Sequence, residues 1–127
     1  MEGIIGGLKE ISRVIPDRFY KDMEVLDLST PQGIDRSEKM LKALNPERCF
    51  VGRYDEDRVM YKQFDLFKSG EERTIHLGID LFVVPETPVI APINGIVHSF
   101  QDNCHAGDYG PTIILEHEIS DLRFWTL

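Results

Sequence analysis

The sequence predicts a small, mainly β protein, α+β overall, entered through a helical lead-in. Three observations carry that expectation. The second half holds five short runs rich in Ile, Val and Phe, at residues 75–84, 89–91, 96–100, 112–118 and 123–127. The first half instead spaces apolar residues three and four apart, the period of a helix face. A chain of 127 residues, 42% hydrophobic and 28% charged, has the length and balance of one folded domain.

Taken in order, residues 3–15 form the first expected helix. Ile4, Leu8, Ile11 and Ile15 share a face, Gly6 and Gly7 weaken it, and Pro16 ends it. Residues 25–29 alternate and read as extended. A second helix is expected to start at Asp35 or Ser37 and to carry Met40, Leu41 and Leu44 to the Asn45-Pro46 stop. From Cys49 the period shifts toward two. Val51 and Arg53, then Val59, Tyr61 and Gln63, predict two short strands around a turn at Tyr54-Asp55-Glu56-Asp57. Asn94-Gly95 predicts a hairpin between the strands on either side of it. Residues 101–111 read as a loop and 119–122 as a second turn. The expected division is a helical extension over 1–48 and a β domain over 49–127.

Charge narrows the partners. Fourteen basic against 22 acidic residues give a net charge of −8 and a pI near 4.9, with no basic block to displace counterions from nucleic acid. Anionic membrane surfaces are disfavoured on the same ground. No run approaches the roughly 18 apolar residues of a span, and Glu2 stands where a secretory signal needs a base. Cys49 and Cys104 lie far apart in the sequence and read as two free thiols in a reducing compartment. The expected location is the cytoplasm.

The sharpest chemical signal is His76-Leu77-Gly78-Ile79-Asp80. Imidazole and carboxylate are zinc ligands. On a straight strand, residues four apart lie about 13 Å apart, too far to share one ion. A helix would bring them within about 6 Å, but Gly78 and its β-branched neighbours disfavour one. A bend at Gly78 would turn both side chains to one point. The pair by itself leaves a shared metal and a simple hydrogen bond both open.

A longer stretch resembles a known family. Arg73-Thr74-Ile75-His76-Leu77-Gly78-Ile79-Asp80-Leu81-Phe82, then Thr87-Pro88-Val89-Ile90-Ala91-Pro92-Ile93-Asn94-Gly95-Ile96-Val97, is similar to the core of the lysostaphin-type (LytM-type) zinc metallopeptidases, which share the duplicated hybrid motif. Asp108-Tyr109-Gly110-Pro111-Thr112-Ile113-Ile114-Leu115-Glu116-His117 matches their Tyr-Gly-x-x-Val-x-Ile-x-His segment. The resemblance implies a partial barrel-sandwich hybrid with an antiparallel sheet, zinc as cofactor, and His76 and Asp80 as two of three protein ligands. It implies a peptide or peptidoglycan substrate. The family's Tyr-x-His-Leu and His-x-His motifs, which supply the third ligand and the catalytic histidines, do not occur among these 127 residues. The expectation is therefore an incomplete domain, inactive by itself, with zinc held weakly or not at all and no catalytic residue assigned.

The remaining histidines have plainer readings. His117 is expected as a structural histidine, with a place in the cleft as its alternative. His98 reads as a surface or cross-strand residue, and Cys104-His105 as a loop pair that does not converge on one ion. Tyr54, Glu56 and Arg58 read as a solvated loop; the alternative, which the family resemblance implies, is an upstream segment that covers the metal site in a latent form. Two other functions compete with the peptidase reading. A lipoyl-type carrier needs a lysine at a hairpin tip, and Asn94-Gly95 and Ser120-Asp121 offer none. A non-catalytic, peptidase-like interaction or regulatory module remains as the alternative. The strands at 112–118 and 123–127 are expected to lack neighbours and to join copies into a homodimer.

Overall fold

The computed structural model describes residues 11–59 and 74–127. They are mostly β: three open sheets, one α-helix and a 3-10 turn at Asp17–Tyr20, with no closed barrel among the described residues. Contacts group the chain into two units, Pro16–Thr87, and Met1–Ile15 together with Pro88–Leu127. The expected boundary at residue 48 does not coincide with either, because the two strands flanking it pair with each other.

In the Pro16–Thr87 unit, strand β1 (Met23–Val25) runs parallel to β2 (Cys49–Gly52), in the register Met23↔Cys49. Parallel neighbours need a long crossover, and residues 26–48 supply one carrying helix α1 (Pro31–Lys42). The helix starts before the expected Asp35 or Ser37. Thr30 is its N-cap, accepting from Gly33 N at 3.0 Å, and Pro31 sits where a missing N–H costs nothing. Asp35 instead pairs outward with Lys39, and buried Ser37 donates to Asp27 O at 3.2 Å. The core is Leu26, Leu28 and Phe50, with Ile34, Met40, Leu41, Leu44 and Phe82 packed on it. The alternation expected over 25–29 appears in burial: Leu26 and Leu28 point inward on either side of Asp27.

The hairpin expected around Tyr54 does not form. β2 pairs antiparallel with β5 (Asp80–Phe82), while β3 (Glu56–Asp57) pairs with β4 (Ile75–His76). Gly52 lies opposite Asp80, Glu56 opposite His76, and Arg58 N donates to Thr74 O at 2.8 Å. These partners keep one register, so the two ladders are one antiparallel pair of chains. It buckles on both sides at the same level. One chain turns at Tyr54-Asp55, where Asp55 takes φ +59°, and the other bends at Gly78. The strand expected over 75–84 is therefore two short strands. Tyr61 and Gln63 lie outside the described residues.

In the other unit, residues 11–15, expected as the end of a helix, are not helical. They lie beside 90–92: Ser12 N donates to Pro92 O at 2.7 Å and Ile90 N to Val14 O at 2.8 Å. Backbone groups just before Pro16 thus find partners that a last helical turn would leave open. The rest of that expected helix lies outside the described residues. Strands β6 (Ile96–Asn103), β7 (Gly110–Ile119) and β8 (Leu122–Thr126) form an antiparallel sheet in that order. Residues 89–91 are not a strand, so Asn94-Gly95 is not a hairpin turn, and neither residue takes a positive φ. The expected loop over 101–111 shrinks to 104–109, because pairing runs on from Gln101↔Thr112 to Asn103↔Gly110. The turn at Ser120-Asp121 forms, with Ser120 at φ +53°. β7 is paired on both sides, so of the two strands expected to lack neighbours only β8 has a single partner among the described residues.

Candidate functional site

The buckle in the β2–β3 and β4–β5 ladder decides the geometry at His76 and Asp80. On one strand, residues four apart share a face. Straight, they would be out of reach; bent at Gly78, His76 Nε2 comes to 3.3 Å from Asp80 Oδ1. The bend does not need glycine's freedom. Gly78 keeps an ordinary φ, and a Cβ there would meet only the His76 ring, at 3.4 Å.

The same parity brings a charged cluster to the pair. Glu56 faces His76 across the ladder and Arg58 follows two residues on, so both join the face of His76 and Asp80. Glu56, its side chain 1% exposed, accepts from Leu28 N (3.1 Å), from Arg53 Nη2 (2.7 Å) and Nε (3.2 Å), and from Arg58 Nε (3.3 Å). Arg58 Nη1 reaches Asp80 Oδ2 at 2.7 Å. Burial pushes the Glu56 carboxyl up, but the hydrogen bonds from Arg53, Leu28 N and Arg58 outweigh it and hold the group below its ordinary range. Asp27, 3.6 Å from Arg53, is held low chiefly by the Ser29 hydroxyl and N–H. Glu56 and Arg58, expected in a solvated loop, are thus buried. The legible signal was their spacing: Glu56-x-Arg58 has the strand period that places both on one face. Tyr54 alone of the three stays exposed with no burial to explain.

Tautomer follows from the backbone. His76 Nδ1 stands 2.9 Å from Arg53 O, and a carbonyl only accepts, so Nδ1 carries the proton. Toward Asp80 Oδ1, Nε2 offers a lone pair in the neutral ring and an N–H donor in the imidazolium, where the two groups form an ion pair. The same spacing suits a ligand pair when the ring is neutral: donors about 2.0–2.1 Å from zinc at a tetrahedral angle stand about 3.3 Å apart. A carbonyl behind the ligating histidine is also the usual outer support of such a ring. The donors therefore fit two positions of a zinc site. They do not complete one: among the described residues no three His, Cys, Asp or Glu side chains group to hold an ion.

His117 is 1% exposed and saturated. Nδ1 donates to Asn94 O at 3.1 Å, Nε2 accepts from Thr126 Oγ1 at 2.8 Å, and the ring stacks on Phe124 with centroids 5.2 Å apart. Gly95 makes room for it: a Cβ there would stand 2.6 Å from both Glu116 O and His117 Nδ1. The Asn94-Gly95 pair thus serves close packing rather than a turn. His98 sits exposed at a bulge between Val97 and Ser99, its Nδ1 3.1 Å from Ser99 Oγ. Cys104 and His105 lie exposed in the loop. Both cysteines are free, and burial pushes the Cys49 thiol up, away from reactivity. No described helix is long and apolar enough to cross a membrane. No protein-family model, no curated protein and no solved structure matches the chain.

Proposed function

We propose that this chain carries a lysostaphin-type zinc metallopeptidase-like segment, with a two-ligand half-site at His76 and Asp80, and that these 127 residues by themselves do not hydrolyse peptides. The observation that carries this reading is the 3.3 Å approach of His76 Nε2 to Asp80 Oδ1, with Nδ1 tied to the Arg53 carbonyl. His76 through Nε2 and Asp80 through Oδ1 would hold the ion, and Arg53 O keeps the imidazole turned so that Nε2 stays free to bind. When bound, zinc supplies an activated water and polarises a carbonyl. Peptide hydrolysis also needs a third ligand and groups that move protons. The other histidines offer neither: His98 and His105 are exposed on their own, and both His117 nitrogens are engaged.

The substrate class is a peptide bond of the peptidoglycan type. The charge of −8 disfavours nucleic acid and membrane surfaces as partners, and two free thiols suit the cytoplasm. β8, paired on one side among the described residues, would join two copies edge to edge; a clean 14.6 kDa species in light scattering rejects that dimer. The Arg58 contact with Asp80 favours a second reading, a non-catalytic module in which an ion pair stands where a peptidase keeps its metal.

Zinc calorimetry on the wild type and on His76→Ala tests the half-site. Weak binding lost on substitution supports it; identical behaviour of the two proteins sinks it. Incubation with muropeptides and glycine-rich peptides plus zinc, read by mass spectrometry, should show no cleavage. Turnover that a chelator and His76→Ala both abolish would overturn the inactivity and show that the site is completed by other residues.

A further inference from the structure

Asp80 is shared between two groups. Oδ1 faces the imidazole of His76, and Oδ2 accepts from Arg58 Nη1 at 2.7 Å. Two independent features seat that guanidinium. Behind it, buried Glu56 holds Nε at 3.3 Å, and the Arg58 N–H bond to Thr74 O fixes where its side chain starts. Beneath it, β2 carries a glycine: a Cβ at Gly52 would stand 2.5 Å from Arg58 Nη2 and 3.0 Å from Asp80 Oδ2. The Arg58 side chain is 5% exposed, so its charge is poorly screened by water.

We propose that Arg58 sets the cation affinity of the His76–Asp80 pair, its guanidinium competing with a divalent cation for the Asp80 carboxylate. The proposal rests on that pair being half of a metal site. Two effects oppose each other. A carboxylate held by Arg58 is already oriented, which saves the ordering cost of one short side chain. A fixed positive charge beside it repels the incoming ion, in proportion to the ion's double charge and more strongly where water is scarce. For a divalent ion the repulsion is the larger effect. With Arg58 neutralised, Asp80 loses the guanidinium on Oδ2 while Glu56 keeps Arg53, so the net negative charge facing the cation grows and affinity rises.

Zinc chloride binding to the intact chain, measured by calorimetry for wild type, Arg58→Gln, His76→Ala and the double variant, tests this. Arg58→Gln is expected to bind zinc about 10-fold or more tightly than wild type, with the gain gone in the double variant. Equal or weaker binding by Arg58→Gln, while His76→Ala still lowers affinity, overturns the role of Arg58 and leaves the half-site standing. A His76→Ala change without effect in both backgrounds overturns both. Because Arg58→Gln also strips Glu56 of a buried partner, the wild type gives a second readout. In nitrogen-15 spectra, zinc should shift the Arg58 Nε and His76 ring signals with one midpoint. An Arg58 signal unmoved while His76 saturates overturns the competition.

Discussion

His76 and His117 are built alike on one side of the ring and differently on the other. Each turns Nδ1 to a backbone carbonyl 23 residues earlier in the chain, Arg53 O at 2.9 Å and Asn94 O at 3.1 Å. Each therefore carries a proton on Nδ1. His117 Nε2 then meets a hydroxyl that donates to it, and the ring is sealed by Phe124. His76 Nε2 meets a carboxylate oxygen, itself an acceptor. One carbonyl lock thus supports two outcomes. Where the second nitrogen finds a donor, the histidine is finished and structural. Where it finds another acceptor, the pair is left wanting a cation or a proton between them.

The strongest way to break this contrast is to delete each ring. His117→Ala empties a fully buried volume and orphans the Asn94 carbonyl, which should cost about 2–4 kcal/mol. His76→Ala removes a partly exposed ring whose loss leaves only one carbonyl to be met by water, so less than about 1 kcal/mol is expected. Urea unfolding of the two variants compares them directly. Equal costs would mean that His76 is as structural as His117, and the half-site reading would lose its basis.

Acid should act on the two surroundings unequally. Glu56 and Asp27, both in the unit that holds His76, have folded-state pKa values lowered below those of the unfolded chain. A lowered carboxylate contributes stability that is fully present above its unfolded value, about 4.3 for Glu and 3.9 for Asp, and that is lost as pH falls through the folded value. The Pro16–Thr87 unit should therefore weaken below about pH 4.3. Glu56→Gln should flatten that dependence. Methyl signals of Leu28 and Met40 followed by NMR from pH 6 to 3 read it out; an acid response unchanged in Glu56→Gln would remove Glu56 as its source.

Much of the sheet was legible because burial writes a period of two into the sequence. Leu26 and Leu28 were readable on that basis, whereas β7 and β8 were readable as runs rich in β-branched and aromatic residues on either side of Ser120-Asp121. The misses have physical causes. Thr30-Pro31 capped α1 early, since a hydroxyl acceptor followed by proline at the first helical position is a stronger start than Asp35 or Ser37. Asn94-Gly95 reads as a turn by composition, but its glycine is spent on the His117 ring. The approach of His76 to Asp80 was readable only as one option, because it depends on a bend matched by a second bend at Tyr54-Asp55 on the partner chain. Arg58 could not be placed from local pattern alone: its partner Asp80 lies across the ladder, and a long-range register is not written in a five-residue motif.

The smallest and most specific test touches one hydroxyl. Thr126→Val keeps the shape of the side chain but removes the only group that donates to His117 Nε2 among the described contacts. A buried acceptor without its donor costs about 1 kcal/mol, set against the better burial of a methyl. The fluorescence of Trp125, the sole tryptophan and the neighbour of Thr126 on β8, should report an unfolding free energy lowered by that amount in urea. The tautomer should not change, because Asn94 O still holds the Nδ1 proton. Ring nitrogen-15 shifts check this separately from stability. If the proton moves to Nε2 in Thr126→Val, the hydroxyl rather than the carbonyl was setting the tautomer of His117. The same doubt would then fall on Arg53 O at His76, and with it on the lone pair that faces Asp80.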